Sequence, residues 1–236
     1  VPNYQAISLD RHAGKRWQRQ SDYTLAASEA VVALTVAELS TAVMSLPIAF
    51  VEREGAFVPV AVLGVQSGKN LFVTGDGRWA GSYIPAAFRS YPFRLAQIES
   101  GQQVLCIDED SGLISDGPDG EPFFNEDGQP AQSTLDILGF VNQIEQNRAL
   151  TTTACAALQR HHLFRPWVIT LHTENGEKQI TGLFQINQEL LNGLSDEGLL
   201  ELRRAGALPV AYCQMLSMQH LPMLERLTEV HARAAV

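Results

Sequence analysis

At 236 residues, 45% hydrophobic and 18% charged, the chain is long enough for one large domain or two small ones and too apolar to be disordered. Its net charge of −9 argues against nucleic acid or an anionic membrane as the main partner. The longest apolar run, near residues 58–63, falls far short of the ~20 residues that a membrane-spanning helix needs.

Along the chain, the N-terminal stretch lacks the basic head and apolar segment of a secretory leader. Three widely spaced cysteines cannot build a disulfide framework and point to a reducing compartment, so a cytoplasmic location is expected. Arg11, Lys15, Arg16 and Arg19 surround Trp17 in the one basic cluster, a docking arm or, by the usual behaviour of charge runs, a solvated face. Thr35-Val36-Ala37-Glu38 has the spacing of a capping box, in which the hydroxyl serves the third helical amide and the glutamate reaches back. That helix must stop before Pro47, because the residue ahead of a proline disfavours the helical region. Residues 47–53 and 57–65 then read as strands around a Glu54-Gly55 turn.

Pro85 can open a short helix and Pro92 close it, which puts Arg89 in its last turn. Residues 93–98 and 103–107 read as strands, with turns at Asp76-Gly77 and Asp127-Gly128. A helix from near Ser133 follows from the spacing of Ile137, Val141 and Ile144. Residues 167–173 and 178–186 form a predicted hairpin about Asn175-Gly176, since both turn positions tolerate positive φ. A further helix follows Ser195 and stops at Gly206, residues 210–215 read as a strand, and the last helix opens at Pro222. Its expected stripe is Met223, Leu227, Val230 and Ala234, and Met215, Met218 and Met223 are expected to fill core or a subunit interface.

Helices interleaved with antiparallel hairpins define an α+β class with largely antiparallel sheets. The expected organisation is a single globular domain over 1–236. Pro47 and Pro166, Gly64 and Gly182, and Pro92 and Pro209 lie at offsets of 119, 118 and 117, which suggests a pseudo-repeat of 34–100 in 134–217, two related helix–hairpin–helix–strand halves.

Familiar catalytic signatures fail on inspection. The loop from Gly64 to Asn70 has three residues between its glycines where a phosphate loop has four, and asparagine replaces the magnesium-binding hydroxyl. Gly75–Gly81 is one residue too long for a dinucleotide fingerprint. There is no G-x-S-x-G elbow, HExxH or paired CxxC, and His161-His162 would diverge by about 100° on a helix. No metal or cofactor is therefore expected. From Asp108 to Asp127 there are eight acids and no lysine or arginine, but Ser115 and Gly117 stand where a calcium loop needs its first ligands. A solvated loop is the preferred reading of that stretch.

The densest residues are Asn70-Leu71-Phe72-Val73, Asp76-Gly77-Arg78-Trp79 and Tyr83-Ile84-Pro85, running on through Arg89-Ser90-Tyr91-Pro92-Phe93. With Cys106-Ile107-Asp108, Glu121-Pro122-Phe123-Phe124 and Gly182-Leu183-Phe184, these blocks resemble the bacterial SapC family over nearly the whole chain. The resemblance implies an association with paracrystalline surface layers, transporter-like labels, and company with outer-membrane uptake and halogenase-like loci. It supplies no catalytic residue. The expected function is a non-enzymatic accessory or binding protein for a small molecule, peptide or protein, with self-association allowed for and no nucleic acid or membrane insertion. An enzyme using Asp76 or Asp108 with Arg89 as anion anchor, and a surface-layer component, are the alternatives. The expected ligand- or partner-binding residues are Asn70, Asp76, Trp79, Tyr83, Arg89 and Tyr91, with 83–93 forming one wall of a pocket. Arg89 has three expected roles: capping helix carbonyls, pairing with Asp76, or presenting its fork to a ligand carboxylate or phosphate.

Overall fold

A computed structural model describes residues 2–98, 101–173 and 176–233. Strand β1 (Tyr4–Ala6) leads into α1 (Leu9–His12), a single helical turn, and then β2 (Arg16–Trp17). A 3-10 turn at Thr24–Ala26 precedes β3 (Val31–Ala33), α2 (Val36–Ala42) and the hairpin of β4 (Ile48–Arg53) and β5 (Ala56–Val62). Then come α3 (Ala86–Arg89), β6 (Phe93–Gln97), β7 (Gln103–Asp108), a 3-10 turn at Glu109–Ser111, β8 (Ile114–Ser115) and β9 (Glu121–Pro122). The 29-residue α4 (Gln132–Arg160) is followed by the long hairpin of β10 (Phe164–Thr173) and β11 (Gly176–Ile186). The chain finishes with α5 (Gln188–Asn192), α6 (Asp196–Arg204), α7 (Ala207–Ser217) and α8 (Leu221–Arg233). The class is α+β with antiparallel sheets, as the sequence predicts.

The chain groups into two compact units, each made of two segments, with divisions after Ser21, inside α3 and inside α4. The first unit is Val1–Ser21 with Phe88–Gln146. Its strands form an antiparallel sheet in the order β1-β7-β6 and a smaller one in the order β8-β2-β9. Trp17, Phe93, Leu105, Ile107, Phe123, Ile137 and Val141 make its core, with Trp17 edge-on to Phe93 at 4.8 Å. The tryptophan at the centre of the basic cluster is thus buried. Arg16 donates to the carbonyl of Gly120, and Arg11 pairs with Glu109. The acidic stretch is not only a loop, since β8 and β9 within it flank β2 on both sides.

The second unit is Asp22–Ala87 with Asn147–Val236. Its sheet runs β10-β11-β4-β5-β3. At Glu54-Gly55 both residues have positive φ, 52° and 79°, which suits a tight hairpin turn. Asn175 of the second predicted hairpin lies outside the described residues. Strand β11 pairs with β4 only at Phe184 and Phe50. The fully buried Gln214 of α7 extends this join, accepting from the Ile186 amide at 2.9 Å and donating to the Ile48 carbonyl at 3.4 Å.

Two expectations are corrected, the strand at 210–215 and the stripe of the last helix. Residues 210–215 are helical, inside α7, not a strand. Gly206, at φ 68°, separates α6 from α7, and Pro209 sits in the first turn of α7, where its missing N–H costs nothing. The strand expected after Pro209 in the second proposed half is therefore a helix. In α8 the buried positions are Leu224 and Thr228, while Met223 and Leu227 are half-buried and Val230 is exposed; Ala234 lies outside the described residues. Met215 and Met218 are likewise half-buried.

Candidate functional site

In the second unit the expected residues cluster on the connection between β5 and α3. Asn70 is buried, donating to the Ala26 carbonyl at 3.0 Å and accepting from the Phe72 amide at 2.9 Å. A buried amide so engaged fixes the path of the chain, which makes Asn70 a scaffold residue. Val73 then bridges Trp79 across a tight turn. Within that turn the exposed Asp76 accepts from the Thr74 hydroxyl at 2.5 Å and pairs with Arg78. These hydrogen bonds, that from Arg78 first, hold its carboxyl down to about 2. Asp76 is thus a stable anion rather than a proton shuttle at neutral pH.

The turn presents an aromatic group. One half-buried ring, Trp79, stacks on the buried Phe72 with centroids 5.4 Å apart, and half-buried Tyr23 meets Trp79 edge-on at 6.0 Å. The Tyr23 amide donates to the Gly77 carbonyl at 2.7 Å, fastening the two ring-bearing loops together. Gly77 has φ 78°, and a Cβ there would fall 2.5 Å from the Asp22 carboxylate. The positive φ favours glycine at that position, and any side chain there would also displace the Asp22 carboxylate. The indole N–H of Trp79 donates to the Tyr83 carbonyl at 2.9 Å, so Trp79 and Tyr83 are brought together. Tyr83 in turn donates to Glu38 at 2.9 Å, and the Ala86 amide donates to the same carboxylate oxygen at 2.7 Å.

Arg89 and Tyr91 belong to the first unit. The Arg89 guanidinium lies over the Phe140 ring, 5.1 Å from its centroid. Tyr91, in a cis bond to Pro92, donates to Asp108 at 3.0 Å. Burial, then this hydrogen bond, pushes its phenol up to about 12, so it stays protonated and serves as a donor. Asp108 is itself buried and also accepts from the amides of Asn3 and Asp110 at 2.8 and 3.2 Å. Beside it Arg94 lies over the Tyr4 ring, 3.7 Å from the centroid.

Sequence reasoning missed Tyr23, Tyr4 and Arg94, and it read Glu38 only as a cap. Each acquires its place through a partner distant in sequence, which no local pattern signals. Among the described residues, no group of three or more metal-binding side chains could hold an ion. No helix in the described residues is long and apolar enough to cross a membrane. A family model described as SapC matches residues 7–224. No curated protein and no solved structure matches the chain.

Proposed function

The chain belongs to the SapC family, and from that premise we propose that it is a binding or accessory protein that recognises a small molecule, peptide or protein partner through the Tyr23–Trp79 face. The observation that carries this reading is the pair of half-buried rings held on a hydrogen-bonded double loop above Phe72. Aromatic rings offer large contact area at little conformational cost, and a pre-set pair loses still less on binding. Asp76 and Arg78 add fixed charges of both signs on the same turn. Three free cysteines, none in a disulfide, support a reducing compartment and hence a cytoplasmic role.

The test begins with native mass spectrometry of the purified chain, which is expected to carry a stoichiometric ligand or partner. Tryptophan emission then reports the site, because Trp17 and Trp167 are buried while Trp79 is only half-buried. Trp79→Ala and Tyr23→Ala are each expected to weaken binding by about tenfold or more, the scale of an aromatic anchor. Retention of full affinity in both variants would show that the partner binds elsewhere.

A further inference from the structure

The first unit contains a buried polar atom left without a partner. His12 closes α1 and is 0% exposed, with its ring 5.0 Å from that of Phe123. Its Nδ1 stands 3.3 Å from both the amide and the carbonyl of Ser8, one turn back. Its Nε2 makes no hydrogen bond, although Glu109 Oε1 is 3.4 Å away. Glu109 is instead gripped by the Arg11 fork, Nε at 3.1 Å from one carboxylate oxygen and Nη2 at 2.6 Å from the other. Such an orphaned group costs free energy and calls for a physical account.

We propose that His12 is a proton latch: its neutral ring holds α1 in the first unit, and protonation loosens α1 from it. In the neutral ring Nδ1 can accept from the Ser8 amide while the proton sits on Nε2. Protonation puts a second N–H at Nδ1, which the Ser8 carbonyl at 3.3 Å can accept, and places a charge in a fully buried ring against Phe123. The charges nearby are divided. Arg11 and Lys15 oppose an imidazolium, while the Ser8 carbonyl and Glu109 favour one. Asp10 on α1, Asp110 on the 3-10 turn, and Glu121, Glu126 and Asp127 around Phe123 are the other acids on the packed elements, all exposed.

Burial outweighs these charges and keeps the ring's pKa below its ordinary 6.5. Because the docked form has the lower pKa, the released form binds the proton more readily. The latch therefore contributes its full stability above the ordinary value and loses it as pH falls through the lowered one. Glu109 does not confuse this response, since the Arg11 fork holds its carboxyl below the usual range. The segment so controlled links β1, paired with β7, to β2, held between β8 and β9.

Proton NMR of the unaltered chain, between about pH 8 and about pH 5, tests this directly. The His12 ring is expected to titrate below free histidine in the same buffer. Amide exchange of residues 9–13, corrected for its intrinsic pH dependence, should rise across that titration by up to about tenfold per pH unit. His12→Phe keeps a ring beside Phe123 and cannot titrate, so its exchange should lose the rise. Titration at or above free histidine, exchange that stays flat, or a rise retained in His12→Phe would each overturn the proposal. If His12→Phe does not fold, the titration and exchange of the unaltered chain decide.

Discussion

Glu38 is 6% exposed and accepts from four donors: the Thr35 amide at 2.9 Å, the Thr35 hydroxyl at 3.0 Å, Tyr83 at 2.9 Å and the Ala86 amide at 2.7 Å. A buried carboxylate is tolerated only when its oxygens are so engaged. The Thr35–Glu38 spacing predicts the first pair of donors, because a capping box is a local pattern. Nothing local announces the second pair, which arrives 45 and 48 residues later along the chain. Glu38 therefore does more than cap α2, since it also anchors the start of α3 under the aromatic face. Glu38→Ala would orphan two backbone amides and the Tyr83 hydroxyl, and is expected to cost about 2–4 kcal/mol in urea denaturation. Tyr83→Phe removes one donor and should cost about 1 kcal/mol. Equal losses from the two variants would mean that neither the Ala86 nor the Thr35 contacts contribute.

Elements with strong local signals were legible. The two hairpins, α2, α4, α6 and α8 each carry a turn dipeptide, a capping residue, a proline start or a helical period. Strands β2, β8 and β9 were not, because two residues hold no period. They exist through pairing with one another, and Gly120 permits it: φ there is 105°, and a Cβ would lie 2.6 Å from the Trp17 carbonyl. The error at α7 has a different origin. A short apolar run fits a buried strand and a buried helix alike, and here the period is blurred because the exposed face carries Tyr212 and Leu216 while Gln214 and Ser217 sit on the buried one. Gln214 breaks that run because β4 and β11 need a bridge where their own pairing is reduced to one residue pair. Gln214→Ala should lose about 1–3 kcal/mol by leaving the Ile186 amide buried and unpaired and the Ile48 carbonyl with only the Ser217 hydroxyl. Gln214→Leu restores the volume but not the hydrogen bonds, so it should recover little. Full stability in Gln214→Leu would assign the residue to packing alone.

Across the whole chain, each unit joins segments far apart in sequence, so the division into Val1–Ser21 with Phe88–Gln146 and Asp22–Ala87 with Asn147–Val236 has no linker to betray it. The expected site was drawn as one stretch from Asn70 to Tyr91, yet its residues belong to both units. The three cysteines give a reporter in each unit. Cys106 lies in the first unit and is buried; Cys155 and Cys213 lie in the second, one buried and one half-buried. Burial raises the pKa of all three thiols, and pushes Cys155 up from 9.0 to about 12. The thiolate is the reactive form, so that shift alone leaves Cys155 about a thousandfold less thiolate than an ordinary cysteine near neutral pH. Limited access lowers the rate further at Cys106 and Cys155. With a charged maleimide and peptide mapping, Cys213 should be modified first in the native chain, with Cys106 and Cys155 protected until denaturant opens their units. Rapid native labelling of Cys155 would show that α4 does not bury that thiol in solution.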